Sequence, residues 1–114
     1  MNGLPKARFE SVFQNGKRRS SPGVRMIADL GMGRAGFATS RALGCAARRN
    51  RQKRRLKEAF RLEVETRPGS APYLDWVVMA KSEIRTTSFA ELRTEVAQLA
   101  QEIQKQWEDG RECS

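Results

Sequence analysis

Six of the eight residues from Arg48 to Arg55 are Arg or Lys, and the other two, Asn50 and Gln52, are amides. Guanidinium and ammonium groups at this density are suited to gripping a polyanion. Bond-breaking chemistry is harder to find. The chain has no histidine, so Ser-His-Asp triads, HExxH zinc sites and His-based ribonuclease catalysis are excluded. The acids that could serve a stand-alone nuclease, such as Asp29, Glu58 and Asp75, show no clustered metal-ligand spacing. Cys45 and Cys113 match no zinc spacing and read as reduced thiols of a cytosolic protein.

The charge is unevenly placed. Residues 1–55 carry 14 Lys/Arg against 2 Asp/Glu, a net of +12, whereas residues 56–114 carry 8 against 11, a net of −3. The basic half is therefore the one that meets a polyanion, and nucleic acid is the commonest such partner because each neutralised phosphate releases counterions. From Arg41 to Lys57 there is no acid at all. A merely solvated helix face alternates signs for i, i+4 pairing, so this run calls for a counter-anion. It also stands at a helix N-terminus, where backbone N–H groups favour phosphate.

The cluster must be positioned by a helix, because Leu56, Ala59 and Phe60 follow it at helical spacing. On a wheel stepping about 100° per residue from Arg49, the apolar residues Leu56, Ala59, Phe60 and Val64 spread from about 280° to about 60°. Arg49 and Lys53 fall on the same stripe, so the first turns must overhang the core or line a wet cleft between helix and sheet. Asn50, Arg54, Lys57 and Arg61 form a second stripe beside it. Arg51, Arg55 and Glu58 point the other way.

At 114 residues the chain reads as a single domain, 1–114, with room for one modest core. The start lacks the apolar stretch of a signal peptide, and the longest apolar run, Trp76 to Ala80, is far short of a membrane span. A short helix is expected over 7–15, with Phe9, Val12 and Phe13 on one face and Gly16 at its stop. Its two phenylalanines are either core or a stacking platform for bases. Lys17 to Gly23 reads as a basic turn or irregular strand entry. Strands are expected over 24–30 and 34–40, joined as a hairpin through Gly31-Met32-Gly33, with Gly36 marking a bulge. The long helix spans roughly 46–65, and Pro68 to Pro72 breaks the chain. The strand at 73–81 is apolar on both faces, as a central strand is. Ser88 and Glu91 fit a capping box. Phe89, Leu92, Val96, Leu99, Ile103 and Trp107 then mark a long amphipathic helix ended by Gly110. The class is α+β, one sheet with helices against it.

Taken together, these residues resemble the bacterial ribonuclease P protein component. The match is carried by Gly44-Cys45-Ala46-Ala47-Arg48-Arg49-Asn50-Arg51-Gln52-Lys53-Arg54-Arg55-Leu56-Lys57-Glu58-Ala59-Phe60. Phe9 and Phe13 before Gly16, Gly36 to Arg41, and Asp75 to Ala80 extend it outward in the family's order. The resemblance implies a ribosomal-S5-like α/β sandwich, order αββ(β)αβα, with a left-handed strand-helix-strand crossover. It implies a subunit, itself not the catalyst, of the endonuclease that removes the 5′ leader of precursor tRNA, with the chemistry in an RNA subunit using Mg²⁺. A 1:1 protein–RNA assembly in the cytoplasm follows. Carried over position by position, RNA-subunit contacts fall on Arg41, Arg49, Asn50, Arg51, Lys53, Arg54 and Lys57. Leader contacts fall on Phe9, Phe13, Arg49 and Lys53, in one cleft between basic helix and sheet.

The chain departs from the family pattern in three places. Ala42 follows Arg41 where a second basic residue is common. Met26 and Ile27 stand where a first-strand aromatic is common. The end, Glu108 to Glu112, is acidic where many relatives are basic. The competing reading is a ribosomal or general single-stranded RNA-binding protein using the same cluster.

Overall fold

The computed structural model describes residues 3–65 and 74–112. Three helices, Lys6–Asn15 (α1), Ala46–Phe60 (α2) and Phe89–Glu112 (α3), combine with strands Lys17–Ser20 (β1), Val24–Leu30 (β2), Ala35–Thr39 (β3) and Leu74–Ala80 (β4). The sheet order is β1-β2-β4-β3. The basic segment after α1 is thus a real strand, and the hairpin joins β1 to β2, turning at Ser21-Pro22-Gly23.

The hairpin expected between β2 and β3 does not form. β4 inserts between them, antiparallel to β2 and parallel to β3. Strand β4 gains most from that place: among its seven residues all but Met79 are buried, so both its faces need cover. β3 therefore connects to β4 through α2, the crossover that a parallel pair requires. Gly36 makes no bulge either. It pairs in regular register with Val77, and a Cβ there would lie 2.9 Å from Cδ2 of Phe9, so a larger residue would have to push that ring aside.

The two faces of the sheet are covered unequally. Val24, Met26, Ala28, Trp76, Val78 and Ala80 face α2 and α3 and build the main core with Leu56, Phe60, Leu92, Val96 and Ile103. Ile27 and Val77, at alternate positions, face Val12 of α1, with Phe9, Phe13 and Met79 half-buried around them. Ser88 caps α3, with its Oγ accepting from the Glu91 amide at 3.2 Å, which is one half of the expected capping box. The helix runs on through Gly110 to Glu112; a glycine in a last turn costs only about 1 kcal/mol relative to alanine, too little to stop it. The α2 helix is shorter than 46–65, because Arg61–Glu65 continues as a π-helical turn. The loop at 68–72 and Tyr73 lie outside the described residues.

Gly16 ends α1, but not through a left-handed cap. Its φ is −74°, and its N–H donates to Val12 O. Glycine is needed because a Cβ would approach Ile27 Cγ2 and Val12 O to 2.7 Å and Ala28 O to 2.8 Å. Two of these three are backbone atoms that cannot yield. Gly16→Ala is expected to lower stability by about 1–3 kcal/mol, read as a fall in Tm.

Candidate nucleic-acid interface

Helix α2 is anchored by its second half. Leu56, Ala59 and Phe60 are fully buried, and Phe60 meets Phe37 and Trp76 edge-on at 5.5 and 5.8 Å between ring centroids. The first half projects from this anchor, as the wheel requires. Arg48, Asn50, Arg51, Arg54 and Lys57 are exposed, while Arg49 and Lys53, on the apolar stripe, are half-buried. Nε of Arg49 is buried without a hydrogen-bond partner among the described residues. Entry to the helix uses a short 3-10 turn, Arg41–Leu43, whose Leu43 is buried while Arg41 and Ala42 are exposed. Gly44 follows at φ +95°, a conformation that favours glycine and turns the chain into α2.

Cys45 is the exposed, free N-cap of α2. The Arg48 backbone N–H pulls its thiol below the ordinary range, so the helix start favours negative charge. Cys113 lies outside the described residues.

One basic residue of the run has a different task. Arg55 does not point away into solvent. Its guanidinium donates to Gln52 Oε1 at 2.7 Å, to Ile84 O at 3.2 Å and to Thr87 O. On the wheel Arg55 flanks Ala59, which brings it beside the 3-10 turn Ser82–Thr86 that precedes α3. Arg55→Ala is expected to lower Tm by about 10 °C through three lost hydrogen bonds, about 1 kcal/mol each, while leaving the salt dependence of RNA binding unchanged.

Other cations of the basic half are also committed within the fold. Arg8 of α1 bridges Asp75 (2.8 Å) and Asp29 (3.2 Å), two acids placed opposite one another on β4 and β2. Arg34 adds a second cation to Asp75 at 3.2 Å. Burial alone would raise the Asp75 carboxyl. Hydrogen bonds from Arg8, the Arg34 side chain and the Arg34 and Met32 amides outweigh it and hold the group at about 2. Lys17 donates to Gln106 O and sits over Trp107, and Arg19 pairs with Glu102 at 3.8 Å. By contrast, among the described residues no carboxylate pairs with Arg41, Arg48, Arg49, Arg51, Lys53, Arg54 or Lys57. The uncompensated charge is concentrated on α2 and its entry turn.

The paired phenylalanines do not share a cleft with α2. Phe9 and Phe13 lie on α1, which packs on the opposite sheet face. The Phe13 ring is half-buried, with the Arg18 guanidinium 5.4 Å from its centroid and donating to Phe13 O. Beyond α1 this face carries two open cavities. One, of about 410 Å³, is lined by Arg18, Arg19, Ser20 and Arg25; the other, of about 350 Å³, includes Arg25, Ser40, Met79 and Lys81. Met26 and Ile27 are both fully buried and expose no stacking surface, while Arg25 beside them is half-buried and lines both cavities. Arg25, Ser20 and Met79 were missed by sequence reading. The alternation of Arg25, Ile27 and Asp29 along β2 was the available signal.

Among the described residues no three His, Cys, Asp or Glu side chains gather to hold a metal ion. The two acids that do meet, Asp29 and Asp75, are occupied by Arg8. No helix among the described residues is long and apolar enough to cross a membrane.

A four-stranded α+β fold with an uncompensated cationic helix on one side and an aromatic, arginine-lined face on the other defines a small protein built to meet a polyanion. The ribonuclease P family profile matches residues 4–104. The ribonuclease P protein component of Thermoanaerobacter sp. (strain X514) is 32% identical over 95 residues, covering 80% of this chain and 78% of that one. The Thermotoga maritima ribonuclease P protein superposes with a TM-score of 0.68 at 25% identity, covering 92% of this chain and 97% of that one. The Staphylococcus aureus ribonuclease P protein superposes at 0.71 over 86% of this chain and 90% of that one; at 18% identity this likeness speaks for the fold. The chain belongs to the bacterial ribonuclease P protein component family.

Proposed function

We propose that the chain is the protein subunit of ribonuclease P, binding the catalytic RNA subunit and the 5′ leader of precursor tRNA in a 1:1 cytoplasmic assembly. The observation that carries this reading is the run of unpaired cations on α2 within the family's signature. Arg41, Arg49, Asn50, Arg51, Lys53, Arg54 and Lys57 take the RNA subunit, as phosphate and base-edge donors. Phe9 and Phe13, with Arg18 and Arg25 beside them, take the single-stranded leader by stacking and phosphate contact. Because α2 and α1 lie on opposite faces of one sheet, Arg49 and Lys53 go with the RNA-subunit side in this proposal. The sheet then acts as a rigid spacer, with the left-handed β3–α2–β4 crossover of the ribosomal-S5-like fold, setting the leader at a fixed distance from the RNA. In this reading Mg²⁺ is held mainly by the RNA subunit and the substrate. The protein contributes by neutralising phosphates that would otherwise repel one another, so the RNA reaches its active form with less Mg²⁺.

Reconstitution with a bacterial ribonuclease P RNA at low Mg²⁺ tests this. The protein is expected to stimulate endonucleolytic removal of the leader, and absence of stimulation refutes the assignment. Leader-bearing tRNA is expected to bind the holoenzyme more tightly than mature tRNA. Equal affinity would point to a general RNA-binding protein.

A further inference from the structure

The second half of α2 and the edge strand β3 enclose a trough of about 340 Å³, within the range of small-ligand sites. It belongs neither to the projecting first turns of α2 nor to the α1 face. Phe37 forms its aromatic wall. The ring is half-buried and held edge-on against Phe60 at 84°, so it is a fixed surface. Arg54 and Lys57 border the trough from α2, and Lys57 Nζ lies 5.8 Å from the Phe37 centroid. Of the remaining charges there, Glu58 is paired with Arg61 at 2.5 Å, and Glu65 stands at the end where the π-helical turn closes. Arg54 and Lys57 are therefore the cations left for a ligand.

A rigid ring with two unpaired cations beside it recognises two features together: a flat π-system and an anion. An unstacked nucleotide carries both. We propose that this trough seats one splayed-out nucleotide of RNA, its base on Phe37 and its phosphate on Arg54 and Lys57. Lys57 leaves the ring as the base arrives and follows the phosphate. The site accepts any base, because stacking is tolerant of base identity. The inference rests on the reading that α2 faces the RNA subunit, and it adds a stacking contact to a helix otherwise assigned phosphate and base-edge hydrogen bonds.

The test has two arms. Full-length protein is titrated with 5′-AMP and, separately, with inorganic phosphate, followed by NMR. AMP is expected to give cross-relaxation between its base protons and the Phe37 ring, and a larger ring shift than phosphate, which reaches the ring only by drawing Lys57 away from it. Identical responses to the two, or a silent ring, overturn the proposal. In the holoenzyme, Phe37→Leu is expected to weaken binding of the RNA subunit about 5- to 150-fold, with Phe37→Tyr restoring it. A Phe37→Leu protein that folds and binds normally overturns the base contact. If the leucine variant does not fold, the AMP arm on the unaltered protein still decides. If the unaltered protein fails to assemble with the RNA, the family-based function fails, while the AMP arm judges the trough separately.

Discussion

Asp75→Asn is expected to lower the stability of the free protein by about 3 kcal/mol, toward the lower end of what breaking a buried ion pair costs. Asp75 is fully buried and accepts from two guanidinium groups and two backbone amides. The asparagine can satisfy some of these donors but leaves Arg8 and Arg34 without their shared counter-charge. The loss stays moderate because Arg8 keeps Asp29 and both arginines are about a quarter exposed. The same carboxylate makes stability depend on pH. Its folded value of about 2 lies below the ordinary 3.8. Its contribution is therefore complete above about pH 4 and is lost as the pH falls through about 2, amounting to about 2 kcal/mol. Chemical denaturation between pH 5 and pH 2 checks this: the unaltered chain loses that increment, and the Asp75→Asn variant does not. Equal acid sensitivity in the two would place the pH dependence elsewhere.

The second large effect concerns RNA. Joint replacement of Arg49, Lys53 and Arg54 by alanine is expected to weaken binding to the RNA subunit on the order of a thousand-fold, at about 1.4 kcal/mol per contact. The slope of log K against log salt should fall by about three, one for each lost phosphate contact. Filter binding across a salt series measures both. Free-protein stability is expected not to fall, because none of the three has an acidic partner to lose and their mutual repulsion is relieved. An unchanged salt slope would mean that these side chains face solvent in the complex.

How much of this was legible beforehand differs from element to element. Strands and helices followed from local spacing, and the half-burial of Arg49 and Lys53 followed from a wheel. The pairing of strands did not. The short Gly31-Met32-Gly33 link invited a hairpin, yet β4, distant in sequence, displaced it because a strand apolar on both faces competes best for the centre of the sheet. Arg55 looked like its neighbours and proved to be a strut for the turn before α3, since carbonyl acceptors from that turn cannot be read from composition.

The sequence by itself determined the family, the basic helix and the α+β class, because these rest on residue type and on periods of two and 3.6, which are local. Only the tertiary structure decided which cations are available. Arg8, Lys17, Arg19, Arg34 and Arg55 are drawn into the fold by partners distant in the chain, leaving the outward stripe of α2 uncompensated. Tertiary structure alone also set Phe9 and Phe13 on the face opposite that helix. Strand alternation told inside from outside along each strand, but which helix covers which face depends on the crossover, a long-range choice that no local pattern records.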